Sequence, residues 1–225
     1  MDKNLKFYDL FQHADFINER HGMDSIAVDS IPIPGAEVDP EWKNYIIPTW
    51  VADQSFKTCP AIQDAVIARA KHPAFGYFKP RDEYFEGIIR WQKNQYDSDV
   101  TREDIVYANG LLGGVISALN VFCEKGANVL LHAPTYIGFT GCITNNGYHI
   151  VHSWLKKDEN GVWRMDYEDM EKKIVENNIH ATVFCTPHNP CGRVWTKEEL
   201  EKAYAIFEKY DVKVVADQIW ADCIH

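Results

Sequence analysis

Short continuous runs of apolar residues alternate along the chain with longer stretches in which apolar residues recur at helical spacing. The apolar runs predict buried strands, at residues 104–108, 128–133, 148–155, 181–186 and 212–217. The stretches between them predict helices, at residues 113–124, 136–146, 165–178 and from Thr196 onward. Continuous apolar strands that alternate with helices are typical of a parallel sheet buried on both faces. We therefore predict an α/β fold with a mainly parallel sheet and helices on both faces.

Two further helices are predicted before the first strand. One begins at Pro60, because proline suits the first turn of a helix, and the other covers residues 81–95, where the apolar residues have helical spacing. Thr196 and Glu199 have the spacing of a capping box at the start of the last helix. The stretch up to about residue 44 is predicted to be irregular, because prolines recur in it.

Charge and cysteine content argue against several classes of protein. The 33 acidic and 23 basic side chains give a net charge of −10, which opposes broad affinity for nucleic acid or anionic membranes. The six cysteines show no C-x-x-C spacing, so we predict reduced, buried thiols, no metal site and a cytoplasmic location. No run reaches about 18 apolar residues, and the start lacks the apolar core of a signal peptide, so neither a membrane span nor secretion is expected.

The residues that directly follow the apolar runs are the candidates for a binding site, because ligands of parallel α/β sheets bind beyond the carboxyl ends of the strands. Four groups occupy these positions: the glycine-rich stretch 109–114, the stretch 134–136 with Tyr136, the stretch 187–190 with Asn189, and Asp217. We expect these groups to meet on one rim of the sheet. His188 and Arg193 lie on either side of Asn189 and are predicted to be supporting or solvated loop residues without a catalytic role.

Together these groups suit pyridoxal 5′-phosphate. Free N–H groups at a glycine-rich helix start favour a phosphate, and Tyr136 can stack on a heterocycle. Asp217 can keep a pyridine nitrogen protonated, and the Asn189 amide can hydrogen-bond a ring oxygen. Taken singly, each residue has a structural alternative: packing for Tyr136, a helix cap for Asp217 and a turn for Asn189. The glycine spacing matches neither a dinucleotide fingerprint nor a P-loop.

The stretch "CTPHNPCGRVWTKEEL" resembles the cofactor-binding turn of the fold-type I pyridoxal-phosphate enzymes, the class I/II aminotransferase superfamily. Within them it is similar to the carbon–sulfur β-lyase branch, the cystathionine β-lyase-like enzymes. Four more stretches match that branch in the same order: "WVADQSF", "FGYFKP", "HAPTYIGF" and "MDYEDMEKKI". The resemblance runs from about Phe7 to the end of the chain, and it implies the aspartate-aminotransferase-like large domain.

The resemblance implies a role for each candidate residue around the cofactor ring. Asn189 would bind the ring oxygen, Asp217 the pyridine nitrogen, and Tyr136 would stack on the ring. The prolines on both sides of Asn189 would stiffen the turn, so that its amide stays directed at the ring oxygen.

The resemblance also implies the phosphate contacts. The backbone around Gly110, Leu111 and Leu112 would bind the phosphate. Tyr77 would contact the phosphate of the other subunit, because members of the family are homodimers with shared sites.

The implied activity is a β-elimination from a small amino-acid substrate, cystathionine or a cysteine conjugate, giving a thiol, pyruvate and ammonia. Two alternatives stay open: an aminotransferase of the same superfamily, and a non-catalytic truncated product or interaction protein. An in-frame Ser-x-Ser-Lys motif in the downstream coding sequence would favour an enzyme.

The chain also departs from the family's pattern. It ends at His225, ahead of the Ser-x-Ser-Lys-type motif that carries the Schiff-base lysine, so that lysine is expected to be absent and the chain alone to be inactive. Gln218 and Ser55 replace acidic residues that are usual in the family. Residues 1–48 are expected to pack with a missing small domain, and residues 49–225 to form a truncated cofactor-binding domain.

Overall fold

The computed structural model describes residues 20–30, 37, 39, 50–53 and 58–223. The chain divides into two compact units, Met1–Arg81 and Asp82–His225. The domain boundary predicted between residues 48 and 49, the departure at Ser55 and most of the predicted irregular stretch lie outside the described residues. No helix in the described ranges is long and apolar enough to span a membrane.

The first unit contains two described helices, α1 (Ile26–Asp29) and α2 (Pro60–Ala70). Helix α1 is held by the Asp29 carboxylate, which accepts the backbone N–H groups of Gly22 and Ser25 at 2.8 and 2.9 Å. Helix α2 begins at Pro60, as predicted, and none of its residues is buried.

The second unit contains the sheet. Its main elements, in chain order, are α3 (Asp82–Tyr96), α4 (Leu111–Phe122), β1 (Asn128–Ala133), α5 (Ile137–Asn145), β2 (His149–Trp154), β3 (Lys156–Lys157), β4 (Trp163–Arg164), α6 (Tyr167–Glu176), β5 (Ala181–Cys185), α7 (Lys197–Lys209) and β6 (Lys213–Asp217). Short 3-10 helices cover Arg102–Asp104 and Ala221–Cys223. The predicted helices from Pro60 onward are confirmed to within a few residues, and so is the capping box at the start of α7.

Four parallel strands form the main sheet, in the order β2-β1-β5-β6. The pairs β1–β2 and β5–β6 run along the whole length of their strands, and the second pair ends with Cys185 opposite Asp217. The pair β1–β5 covers two positions only, Val129 opposite Ala181 and Leu130 opposite Thr182. The predicted α/β fold with a parallel sheet is confirmed.

Helices cover both faces of the sheet because the two inner strands are apolar on both sides. On one face Leu130 and Phe184 pack with α6 and α7, in a cluster that includes Met170 and Phe207. On the other face β1 and β5 pack with α4 and α5, through Leu119, Phe139 and other buried residues. Every residue of β5 is buried, which is the burial expected for a strand between two helical layers.

The strand predicted at residues 104–108 is wrong. Thr101 and Asp104 instead form a capping box for the 3-10 helix, and the segment after it joins no ladder in the described part of the chain. Val106 and Tyr107 are exposed there. An apolar run becomes a strand only when another strand offers its hydrogen-bonding edge, and the apolar pattern does not contain that information.

Two smaller expectations also change. The antiparallel hairpin of β3 and β4 was not predicted, because two residues per strand are too few to show a period. All six cysteines are free thiols, as predicted, but Cys185 is the buried one, while Cys223 is exposed and the other four are half-buried.

A buried histidine sits in the middle of this core. His132, on β1, lies on the Phe184 side of the sheet, with the two rings edge-to-face at 5.5 Å between centroids. Its Nε2 atom is buried without a hydrogen-bond partner in the described residues. Burial, with a smaller contribution from the nearby His188, lowers the pKa of His132 to about 3.

We predict that His132 makes the fold sensitive to mild acid. Between pH 6.5 and about 3 the unfolded chain binds a proton at this position that the folded chain does not, so stability falls as the pH falls. From pH 7 to pH 5 this one group should cost about 2 kcal/mol of unfolding free energy. Urea denaturation at the two pH values should show that loss reduced in His132→Leu and unchanged in His149→Gln, since His149 is exposed on β2. Equal losses in His132→Leu and the unmodified chain would contradict this account.

Candidate active site

The strand order makes the carboxyl-end edge of the sheet the candidate position for a ligand site. From β1 the chain continues to β2 on one side, while β5 and β6 lie on the other, so the order reverses between β1 and β5. In parallel α/β sheets such a reversal marks the place where loops diverge and ligands bind. Here the ladder between β1 and β5 ends before the carboxyl ends of the two strands.

Three of the sequence-predicted residues come from this edge. Tyr136 follows the carboxyl end of β1, Asn189 follows that of β5, and Asp217 is the last residue of β6. The last two segments are also joined directly, because the Thr186 N–H donates to the Asp217 carbonyl at 2.9 Å. The structure therefore brings the predicted ring, amide and carboxylate to one edge of the sheet.

Asp217 is a buried carboxylate with spare hydrogen-bonding capacity. Its Oδ1 atom accepts the Ile219 N–H at 3.0 Å, and within the described residues its Oδ2 atom accepts no hydrogen bond. Burial raises the pKa of Asp217, although the bond from Ile219 lowers it in part. A cationic N–H group beside it would supply the missing partner and favour the charged form.

Tyr136 is positioned by the first turn of α5. Its ring packs edge-on against Phe139, with 5.5 Å between centroids and planes at 87°. The same ring passes close to Gly138, where an added Cβ atom would lie 2.7 Å from the Tyr136 Cζ atom. The ring is about 40% exposed, which leaves part of its surface available to a ligand.

The turn that carries Asn189 is held by its own backbone. The His188 N–H donates to the Arg193 carbonyl at 2.7 Å, and the Gly192 N–H donates to the His188 carbonyl at 2.8 Å. Gly192 has φ of +62°, a conformation that glycine adopts at little cost. Asn189 is half-buried, and its side-chain amide has no hydrogen-bond partner in the described part of the chain. Its amide is thus free to bind a ligand.

A carboxylate on α7 anchors the end of the same turn. Glu199 accepts Arg193 Nη2 at 2.5 Å and Arg164 Nη1 at 2.8 Å. It also accepts the Thr196 N–H at 2.9 Å, which completes the capping box. One side chain thereby joins the β3–β4 hairpin, the turn and the start of α7. The sequence analysis found the capping box but not the two arginine contacts, which need tertiary structure.

The glycine-rich segment forms the start of α4, a helix that packs against β5 and β6. Gly110 precedes the helix with φ of +77°, which is unfavourable for other residues. The N–H groups of Leu111, Leu112 and Gly113 have no acceptor in the described residues. Such free amides at a helix start are suited to an anion.

The structure adds information on two further residues of the sequence analysis, His188 and Tyr77. His188, expected to be a supporting or solvated loop residue, is buried, with its ring Nε2 atom 2.9 Å from the Pro134 carbonyl oxygen. The sequence feature that could have indicated this burial is the position of His188 between two prolines, directly after a buried strand. Tyr77 belongs to the first unit, where its side chain is fully exposed, and its contact with the phosphate of another subunit stays a prediction.

The fold is that of an α/β protein whose parallel sheet carries an exposed ring, an unpaired amide and a buried carboxylate at or after the ends of three strands. The chain belongs to the family described as "Aminotransferase class I and II", whose model matches residues 51–225.

Curated relatives and solved structures agree with that family. "Cystathionine beta-lyase PatB" of Bacillus subtilis is 34% identical over 78% of this chain and 45% of its own length. "Protein MalY" of Escherichia coli is 29% identical over 80% of this chain and 46% of its own length. The PLP-bound C–S lyase of Staphylococcus hominis matches with a TM-score of 0.75 and 29% identity, over 89% of this chain and 49% of its own. The chain thus spans about half the length of the relatives it matches.

Gly138 and Gly141 offer a matched pair of substitutions in α5. Alanine at Gly141 meets no atom within 4 Å, so it should stabilise the chain by roughly 0.5–1 kcal/mol through helix propensity. Alanine at Gly138 collides with the Tyr136 ring, so we expect that gain to be lost and the ring to move. Thermal unfolding measures the first effect, and NMR shifts of the Phe139 ring protons measure the second. Unchanged Phe139 shifts in Gly138→Ala would show that the ring does not depend on this glycine.

Proposed function

We propose that the protein to which this chain belongs is a pyridoxal-phosphate-dependent carbon–sulfur β-lyase. It would break the Cβ–S bond of cystathionine or a cysteine conjugate and, with uptake of water, release a thiol, pyruvate and ammonia. The observation that carries the proposal is the buried Asp217 carboxylate, with an unused oxygen, at the same sheet edge as the free Asn189 amide. The names of the relatives described above support the choice of reaction.

The residues at the edge fit the cofactor part by part. Asp217 would hold the pyridine nitrogen, Asn189 the ring oxygen, and the Tyr136 ring would cover one face. The free N–H groups after Gly110 would hold the phosphate. When bound, pyridoxal phosphate supplies an electron sink for a carbanion formed at the substrate's α-carbon.

Asp217 contributes through its burial. Without a cation beside it, burial raises the pKa of this carboxyl. A pyridinium N–H placed at Oδ2 reverses that trend, because the ion pair in a poorly hydrated site stabilises both charges. The carboxylate then keeps the proton on the ring nitrogen, which is the state in which the ring accepts electrons best.

The amine that carries the cofactor is proposed to lie in a part of the protein downstream of this chain. Lys213 is on the same strand as Asp217 but at its other end, which places the two Cα atoms about 13 Å apart along β6. Its ammonium group is paired there with Asp211 at 2.5 Å. Lys213 is therefore poorly placed for bonding at the ring end of the site.

We also propose the substrate class, the partners and the location of the protein. The substrate would be a small amino acid, and the net charge of −10 disfavours nucleic acid and anionic membranes as partners. The protein would be a cytoplasmic homodimer in which Tyr77 reaches the phosphate of the partner's cofactor.

An aminotransferase is the second candidate, because the family that matches this chain is named for that activity. The residues proposed to bind the cofactor would serve both reactions equally, because each begins with a carbanion at the α-carbon. Products distinguish them: pyruvate and ammonia from cystathionine without a keto-acid acceptor indicate elimination, whereas dependence on an added keto acid indicates transamination.

We predict that Asp217→Asn in the full-length protein lowers turnover by about 100-fold or more, because the amide keeps the shape of the carboxyl group but does not hold the ring proton. The visible spectrum of the bound cofactor should change as well, while the melting temperature stays within a few degrees. Asp211→Asn is the matched control, since Asp211 is exposed and has φ of +51°, a conformation that asparagine tolerates. Unmodified turnover and spectrum in Asp217→Asn would refute the assignment of Asp217.

A further inference from the structure

The strands β1 and β5 are only partly paired, and their unpaired ends lead into the site. Their ladder consists of Val129 opposite Ala181 and Leu130 opposite Thr182, both near the amino ends of the strands. By contrast, β5 and β6 stay paired up to Cys185 and Asp217. The loop that carries Tyr136 is therefore joined to the loop that carries Asn189 by no strand pairing at this edge.

The side chain of His188 spans this gap. Its ring Nε2 atom lies 2.9 Å from the Pro134 carbonyl oxygen, across the opening between the two loops. A carbonyl oxygen only accepts hydrogen bonds, so the proton of this bond belongs to Nε2 of His188. The bond begins one residue before Asn189 and ends two residues before Tyr136, so both ligand-facing side chains are close to it.

His188 is itself rigidly held. Its backbone is bonded in both directions to the turn, with its N–H on the Arg193 carbonyl at 2.7 Å and its carbonyl on the Gly192 N–H at 2.8 Å. Its ring packs beside Trp195, with 5.6 Å between centroids, and Trp195 in turn donates to the Cys185 carbonyl at 3.2 Å. Burial lowers the pKa of His188, although the backbone carbonyls of Pro134 and Cys185 raise it in part.

We propose that His188 is a positioning residue that sets the distance between the Tyr136 ring and the Asn189 amide through its bond to the Pro134 carbonyl. This inference rests on the proposed function, in which both side chains contact one planar ring. If the two loops drift apart, Tyr136 and Asn189 no longer contact the ring together, and affinity for the cofactor falls.

Two amide substitutions separate this role from simple packing. The side-chain nitrogen of glutamine reaches the place of His188 Nε2, whereas that of asparagine reaches only the place of Nδ1. In the full-length protein, we expect His188→Gln to bind pyridoxamine 5′-phosphate within about threefold of the unmodified protein, and His188→Asn to bind at least about tenfold more weakly. This probe carries no aldehyde, so binding does not depend on a lysine. Titration calorimetry measures the affinities, and melting temperatures verify folding.

A second measurement, the position of the ring proton of His188, does not depend on ligand binding. In protein labelled with ¹⁵N-histidine, the ring signals of His188 are those missing from the spectrum of His188→Gln, and at neutral pH they should show the proton on Nε2. A proton on Nδ1 would overturn the inference.

The outcomes also separate the inference from the proposed function. Equal affinities in the unmodified protein and His188→Asn would overturn the role of His188 and leave the proposed function in place. A folded, unmodified protein that does not bind pyridoxamine 5′-phosphate would overturn the proposed function, and the inference with it.

Discussion

The parallel pairing of β5 is the interaction on which the rest of the second unit depends. This strand is buried along its whole length and lies between β1 and β6. Its full pairing with β6 brings Asp217 opposite Cys185, and the buried Thr182 hydroxyl donates to the Leu130 carbonyl at 3.0 Å on the other side. Because every residue of β5 faces a helical layer, a shift of one residue would exchange its two faces between different clusters.

The same strand explains why the candidate site lies where it does. β5 is paired with β6 along its whole length but with β1 at two positions only, so its carboxyl end is unpaired on the β1 side. This end lies at the reversal of strand order, where loops leave in opposite directions. Side-chain contacts then replace the missing ladder: His188 bonds the loop after β1, and Glu199 holds the turn through Arg193. These contacts hold the two loops together where the strands themselves are not paired.

Much of this site follows from position along the chain. Tyr136, Asn189 and Asp217 could be chosen from the sequence because each follows an apolar run, and parallel strands place their carboxyl ends at one edge. The segment 104–108 had an equally apolar run but forms no strand among the described residues. The sequence analysis did not predict the contact of His188 with Pro134, because the two residues are 54 positions apart. The local pattern indicates which structures a segment can form, and the contacts with distant segments determine which one it does form.

The sequence by itself determined the succession of helices and main-sheet strands from α4 onward, the covering of both sheet faces and the residue types at the strand ends. These properties depend on local periodicity and on capping residues such as Thr196, which act within a few positions of the chain. Only the tertiary structure decided the incomplete β1–β5 ladder, the convergence of two arginines on Glu199 and the bond from His188 to Pro134. Each of these joins segments that are distant in sequence, and such contacts exist only when the burial of apolar surface has brought the segments together.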